Sequence, residues 1–232
     1  MNNSWLSDLI LRDTDGEDIS GRVTIYEKSH LALVDSWIPV YQNKYLLMGN
    51  TQIMVIKIFW DWATYWAVPS HLFANKAFTN LRILKDLFVA PDSLGRKFGR
   101  LNKTMQDLFL EWLPFENRIF SNRYIDPFDL EILQKFQKGI EVQHDQNGMI
   151  LQIEKNMNLL EQLAVAIFRL VSAEVNGTDP EMKVNPYTIN LGKKENTMEL
   201  DTQSELAIAP DASISKDVDV MWFYPKKELA TL

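Results

Sequence analysis

Residues 53–68 read IMVIKIFWDWATYWAV, and this apolar run is the feature of the chain that decides its fold. Wound as an α-helix, the run presents apolar side chains on nearly every face, which is typical of a helix at the centre of a protein core. Lys57, Asp61 and Thr64 interrupt it, so the run is too short and too charged to cross a bilayer. The sequence therefore predicts a buried central helix and, around it, a helical fold.

The segments around this run carry helical periodicity as well. Apolar residues recur at spacings of three and four over residues 20–47, where Pro39 is expected to kink or interrupt the helix. Asn50 or Thr51 is a suitable N-cap for the central helix, and Pro69 is expected to bend or end it. Further helices are predicted over residues 80–88, 91–112, 127–136 and 149–175.

We therefore predict a mainly α protein, with an irregular helical domain over residues 21–176 and different segments at both ends. Residues 1–20 are predicted as an extended lead-in and loop, because Asp and Gly are dense at residues 13–18. Residues 177–232 are polar and acidic, which predicts an extended, partly disordered tail. The apolar residues at 220–224 are expected to dock that tail on the helical body.

Composition and missing motifs exclude several functional classes. The formal net charge is −7, which argues against a nucleic-acid surface, because binding to phosphates needs a basic face. There is no cysteine, so disulfides, zinc–thiolate sites and thiol catalysis are excluded. Neither G-x-G-x-x-G nor the P-loop pattern occurs, so no dinucleotide site is expected on this chain alone. No signal-peptide pattern is visible, and we expect a cytoplasmic protein without a membrane span.

The most distinctive cluster of the sequence is the set of aromatic rings in residues 59–66. Rings four residues apart share a helix face, and two interpretations are equally open: core packing, or a wall against a flat apolar substrate. Asp61 lies among the rings and needs a partner if it is buried; Arg96 and Arg100 either supply that partner or face solvent. The candidate substrate-binding residues are Phe59, Trp60, Trp62, Tyr65 and Trp66.

A weaker alternative is a metal site built from two Glu-x-x-His pairs. The pairs are Glu27 with His30 and Glu141 with His144. On a helix this spacing places both ligands on one face, and paired motifs of this kind hold the two irons of ferritin-like bundles. Residues 141–148 have the composition of a loop, however, so the main prediction is that the chain holds no metal.

Five segments of the chain resemble the helical C-terminal region of flavin-dependent halogenases and their monooxygenase-like relatives. The first, Asn2–Ile10, looks like the segment that follows the flavin domain in that family. The others resemble the helical region that continues from it. The segments are residues 2–10, 49–52, 60–66, 101–106 and 221–223.

The resemblance implies an oxygen-using flavoprotein in which reduced FAD forms a hydroperoxide and the helical part covers the substrate. In the halogenases, halide attacks that hydroperoxide, and a lysine relays the resulting hypohalous acid to the substrate. The FAD fingerprint and the relay lysine belong to the family's N-terminal half, so no catalytic residue carries over to this chain. The Trp-x-Trp-x-Ile-Pro signature of tryptophan halogenases is also missing, since residues 60–64 do not fit it.

The first functional hypothesis is therefore a truncated or split oxidoreductase part: a substrate-capping helical region that is inactive without its FAD-binding half. Its expected partners are a small aromatic or apolar substrate and a separate flavin-binding domain or chain. The second hypothesis is a non-enzymatic helical protein that binds an apolar ligand or acts as a scaffold. The third is the di-iron bundle oxidase.

Overall fold

The computed structural model describes residues 1–115, 124–177, 183–192 and 205–222, and the described chain is mainly α-helical, as the sequence predicts. In these ranges, pairing between extended segments is limited to one antiparallel bridge between Val184 and Ile208. The helices are α1 (Asn2–Thr14), α2 (Ser20–Tyr41), α3 (Thr51–Tyr65), α4 (His71–Ala74), α5 (Leu81–Leu84), α6 (Leu94–Trp112), α7 (Glu131–Ile140), α8 (Gln146–Asn176) and α9 (Ala212–Val220).

The central apolar run forms α3 and the turn that follows it. Asn50 caps the helix, because its side-chain oxygen accepts a hydrogen bond of 2.8 Å from the backbone N–H of Ile53. The helical segment does not end at Pro69. A π-helical turn, Trp66–Ser70, contains the proline and leads directly into α4. A single wider turn of this kind accommodates a residue that lacks a backbone N–H within a continuous helical segment.

The core forms where α3, α6 and α8 meet, and α2 packs along α6. Close approach is built into α6 at Gly95, where a Cβ atom would lie 2.5 Å from the carbonyl oxygen of Leu87 and from the ring of Phe88. Only glycine therefore fits at this contact. The largest fully buried side chains include Trp60, Trp112, Phe98, Phe109, Phe136 and Phe168.

Buried polar side chains connect these helices through specific hydrogen bonds. The indole N–H of Trp60 donates to Oδ1 of Asn102 at 2.8 Å, and Nδ2 of Asn102 donates to the carbonyl oxygen of Ser36 at 2.8 Å. On α8, Nδ2 of Asn156 donates to the carbonyl oxygen of Ala67 at 2.7 Å. Because all three donors are buried, each bond satisfies a group that would otherwise be costly to bury. These bonds join α6 to α2 and α3, and join α8 to the π-helical turn that follows α3.

The predicted extended lead-in over residues 1–20 is wrong, because residues 2–14 form α1. Tertiary contacts hold this helix: the Trp5 ring is buried, stacks on Tyr26 at 5.4 Å, and donates its N–H to the carbonyl oxygen of Phe78. The Asp8 carboxylate also pairs with Arg22 of α2 at 3.0 Å. The predicted turn at residues 13–18 lies where α1 ends.

The predicted tail over residues 177–232 is only partly extended. Gly177 adopts a positive φ of 69° and ends α8. Residues 183–192 lack helix, but the polar stretch before residue 220 contains α9, which was not predicted. Its apolar signal is sparse: Ile214 and Val218, four residues apart, are its buried apolar side chains. Residues 178–182, 193–204 and 223–232 lie outside the described ranges, and so does the disorder predicted for them.

The segment that follows α9 contacts the helical body. The Trp222 ring is buried and stacks on Trp112, with ring centroids 5.6 Å apart and planes 4° from parallel. Nε2 of Gln52 donates to the carbonyl oxygen of the buried Met221 at 3.1 Å. The remaining residues of the predicted docking segment, 223 and 224, are outside the described chain.

Helix ends differ modestly from the predicted ones. The second helix ends at Tyr41 and not near residue 47, because a short 3₁₀ turn, Tyr45–Gly49, replaces its last part. Pro127 opens a separate 3₁₀ turn, Pro127–Asp129, so α7 begins only at Glu131. Within the described parts of the chain, no helix has the length and apolar character that crossing a membrane requires.

Candidate functional site: an aromatic cleft beside α3

The five predicted substrate-binding rings do not form one wall. Phe59 and Trp60 belong to the core, where 4% and 0% of their surfaces are exposed. Trp62 and Tyr65 lie on the surface, with 45% and 54% exposed. Trp66 is half-buried on another side of the helix and packs on Phe128, with ring centroids 6.2 Å apart. The helix therefore divides the cluster: Phe59 and Trp60 pack in the core, as the first interpretation predicts, whereas Trp62 and Tyr65 lie on the surface, where the substrate wall stays a prediction.

Trp62 and Tyr65 line a cleft of about 380 Å³ between α3 and the C-terminal half of α2. We call it the aromatic cleft. The Trp37 ring from α2 meets the Tyr65 ring edge-on, with centroids 6.3 Å apart. The residues that line the aromatic cleft are Trp37, Val40, Tyr41, Lys44, Tyr45, Met48, Met54, Lys57, Asp61, Trp62 and Tyr65.

An apolar groove of about 540 Å³ continues from the aromatic cleft and shares Trp37, Tyr41 and Tyr65 with it. Large apolar side chains around both depressions are strongly exposed: Tyr41 by 71% and Phe73 by 69%. Leu46 and Met48, in the turn between α2 and α3, are exposed by 72% and 64%. Exposed large apolar side chains near one another are typical of surfaces that bind ligands or other proteins.

A charged pair lies at the floor of the aromatic cleft. Nζ of Lys57 donates to Oδ2 of Asp61 at 2.5 Å, and Nε2 of Gln106 donates to Oδ1 of Asp61 at 2.8 Å. Burial raises the pKa of Asp61, and the two donors oppose that rise. The arginines considered as partners for this carboxylate are elsewhere: Arg96 and Arg100 line a separate groove between α2 and α6. Both arginines are exposed, which is the second of the two alternatives left open for them, and the partners of Asp61 come from α3 itself and from Gln106 of α6.

A second lysine of the cleft, Lys44, was not singled out from the sequence. Only 6% of its surface is exposed, although it lies in the connection between α2 and α3. Among the described residues, no carboxylate lies within 4 Å of its Nζ, and no acceptor forms a hydrogen bond with it. Burial lowers the pKa of Lys44, and the charges of Lys57 and Lys103 act in the same direction, whereas Asp107 opposes them.

The residues of the weaker metal hypothesis lie in different surroundings. Glu27 is exposed on α2, and His30 on the same helix packs its ring edge-on against Trp5 at 6.2 Å. Glu141 and His144 lie between α7 and α8, outside any helix, so the one-face argument does not apply to them. In the ranges that the structure describes, no three His, Asp or Glu side chains form a group that would hold a metal.

Sequence reasoning missed most of the residues that α2 contributes to the cleft. Trp37, Tyr41 and Tyr45 follow one another at intervals of four, a spacing that places them near one another along one side of the helix and its following turn. In the sequence, Trp37 is one of the apolar residues that recur at spacings of three and four over residues 20–47. An aromatic stripe of this spacing looks the same in sequence whether it faces a core or a cleft.

Comparisons of this chain with protein-family models, with curated proteins and with solved structures find no match.

Proposed function

We propose that this chain binds a flat, apolar ligand in the aromatic cleft, as the substrate-covering helical part of a flavin-dependent oxidoreductase of the halogenase or monooxygenase type. The observation that carries the ligand site is the exposure of Trp62 and Tyr65 beside Trp37. Leaving large rings in water forgoes the free energy of burying them, about 25 cal/mol for each Å² of apolar surface. A ligand that enters the cleft would recover part of that energy.

The flavin setting rests on the resemblance of the five segments described above. In such an enzyme the reduced FAD supplies the oxygen chemistry. The chain contains no glycine-rich phosphate-binding loop, so we assign the flavin contacts to a separate domain or chain. What this chain contributes is a set of walls that orient the ligand and keep water away from it. Trp62 and Tyr65 contribute to these walls from α3, and Trp37 and Tyr41 contribute from α2.

A second candidate function is a non-enzymatic helical binding or scaffold protein. The extent of the exposed apolar surface favours it, because Leu46 and Phe73 lie beyond the aromatic cleft and a small ligand in the cleft would not cover both. A protein partner would cover the cleft and the groove together. The two functions differ in whether a small molecule alone binds.

The direct test is ligand binding by a matched pair of tryptophan variants. We expect the wild-type chain to bind naphthalene-sized aromatic compounds, and Trp62→Ala to weaken that binding about tenfold or more by removing one wall of the cleft. Trp66→Ala is the control, since Trp66 packs on Phe128 outside the cleft. Isothermal titration calorimetry measures both affinities. Equal effects of the two substitutions would refute the cleft as the ligand site.

The flavin setting has its own test. A neighbouring reading frame that encodes a G-x-G-x-x-G segment between a strand and a helix would identify the missing half. Its product, mixed with this chain and reduced FAD, is expected to form a complex in size-exclusion chromatography. We expect Leu46→Asp and Phe73→Asp, which place charges on the exposed apolar surface, to weaken that complex. A neighbouring frame unrelated to flavoproteins would count against this setting without affecting the ligand site.

A further inference from the structure

Lys44 is the feature of the aromatic cleft that a purely apolar ligand does not explain. The side chain is buried to all but 6% of its surface, yet it lines the cleft among Trp37, Tyr45 and Trp62. The stem of this lysine is covered, while its ammonium nitrogen is not among the fully buried side-chain atoms, so the charge stays within reach of a ligand in the cleft. Within the described chain it has neither an ion-pair partner nor a hydrogen-bond acceptor.

The charges around Lys44 leave its positive charge uncompensated. Lys57, the other lysine of the cleft, is paired with Asp61, and the second oxygen of that carboxylate is occupied by Gln106. Asp107 is the acidic residue that attracts Lys44, but its carboxylate forms an ion pair with Lys103 on the same helix at 2.5 Å. A negative charge that enters the cleft would therefore find one ammonium group ready to pair.

We propose that the ligand of the aromatic cleft carries an anionic group, which binds the Nζ of Lys44, while its flat apolar body lies against Trp62, Tyr65 and Trp37. This inference rests on the proposed function, because it names the class of ligand for the same site: an aromatic carboxylate or a similar organic anion. The rings supply contact area, and the charged contact with Lys44 fixes the orientation of the ligand in the cleft.

The exposed aromatic side chains and the buried lysine are complementary features of one site. An ammonium group offers three hydrogen-bond donors around a compact charge, so it accepts carboxylates of many shapes. In a cleft walled by apolar rings, screening by water is reduced, and a charge-assisted hydrogen bond is stronger than on an open surface. A neutral ligand of the same shape would leave the ammonium group unpaired and would lose that contribution.

The test uses two probes that differ in charge and not in ring system: 2-naphthoate and 2-naphthalenemethanol. We expect the wild-type chain to bind 2-naphthoate about tenfold or more tightly than the alcohol, as a charge-assisted hydrogen bond predicts. Lys44→Met should remove this preference and leave the affinity for the alcohol unchanged within about twofold. Lys155→Met, at an exposed position of α8, is the control and should change neither affinity.

A second readout does not depend on any ligand. Because the ammonium of Lys44 has no ion-pair partner among the described residues, replacing Lys44 by Met should not lower the midpoint of urea unfolding, and a clearly lower midpoint would contradict an unpaired charge. Lys44→Arg keeps the charge and should keep the preference for 2-naphthoate. These two variants separate the role of the charge from a general effect on folding.

The possible outcomes distinguish this inference from the proposed function. If the wild-type chain binds both probes equally and Lys44→Met changes nothing, the anionic ligand class is refuted while the aromatic cleft remains a ligand site. If neither probe binds to the wild-type chain, both proposals fail. A loss of 2-naphthoate binding in Lys155→Met equal to that in Lys44→Met would show that general electrostatic attraction, and not Lys44, supports the binding.

Discussion

The hydrogen bonds of Asn102 provide a sharp test of how the central helices are held together. Asn102→Leu removes the acceptor of the Trp60 indole N–H and the donor to the carbonyl oxygen of Ser36. Both hydrogen bonds are 2.8 Å long, and the side chains of Trp60 and Asn102 are fully buried. A buried polar group left without a partner costs about 1–3 kcal/mol. Leucine has a helix propensity better than that of asparagine by a few tenths of a kcal/mol, which offsets a small part of the loss.

We therefore expect Asn102→Leu to lower the free energy of unfolding by about 2–5 kcal/mol. Urea unfolding followed by far-UV circular dichroism measures this value. Asn158→Leu, at an exposed position of α8, is the matched control and should change the free energy by less than about 0.5 kcal/mol. A loss of less than 1 kcal/mol for Asn102→Leu would refute the view that these bonds carry the contact between α2, α3 and α6.

In Trp60→Phe the indole donor is absent, so Asn102→Leu should cost less in this background than in the wild type. The difference between the two costs is the coupling energy of the pair, expected to be about 1–3 kcal/mol. Additive effects would mean that the two side chains do not interact, whatever their separation.

Two further predictions concern contacts that join distant parts of the chain. The Asp217 carboxylate caps α7, accepting hydrogen bonds from the backbone N–H groups of Glu131 at 3.1 Å and Ile132 at 2.8 Å, so Asp217→Ala should destabilise the fold by about 1–2 kcal/mol. Urea unfolding measures that loss, and a value near zero would contradict it. Burial and the hydrogen bond to Asp8 raise the pKa of Tyr26 to about 12. The stability that the protonated hydroxyl of Tyr26 contributes is therefore fully present below its unfolded-state pKa of about 10 and is lost as the pH rises through 12. Urea unfolding at pH 9 and 11 should therefore show a smaller loss of stability in Tyr26→Phe than in the wild type; equal losses would count against this assignment.

The local features of the fold were readable from the sequence because they depend on neighbouring residues. The apolar run at residues 53–68 predicts α3, and the Asn50 cap needs only the residue that starts a helix and the N–H three positions later. The amphipathic pattern over residues 149–175 likewise predicts most of α8. Helices with weak periodicity escaped prediction, since α1 depends on Trp5 packing against Tyr26 and α9 on Asp217 reaching α7.

For the candidate site, too, some features could be read from the sequence and others only from the structure. The sequence by itself determined that residues 59–66 form an aromatic helical segment, that no cysteine chemistry is possible and that no phosphate-binding loop is present. Only the tertiary structure decided that Trp60 fills the core while Trp62 faces a cleft, and that Lys44 is largely buried with no ion-pair partner among the described residues. The physical reason is that a periodic pattern records which residues share a side of a helix, whereas burial and charge pairing depend on what packs against that side.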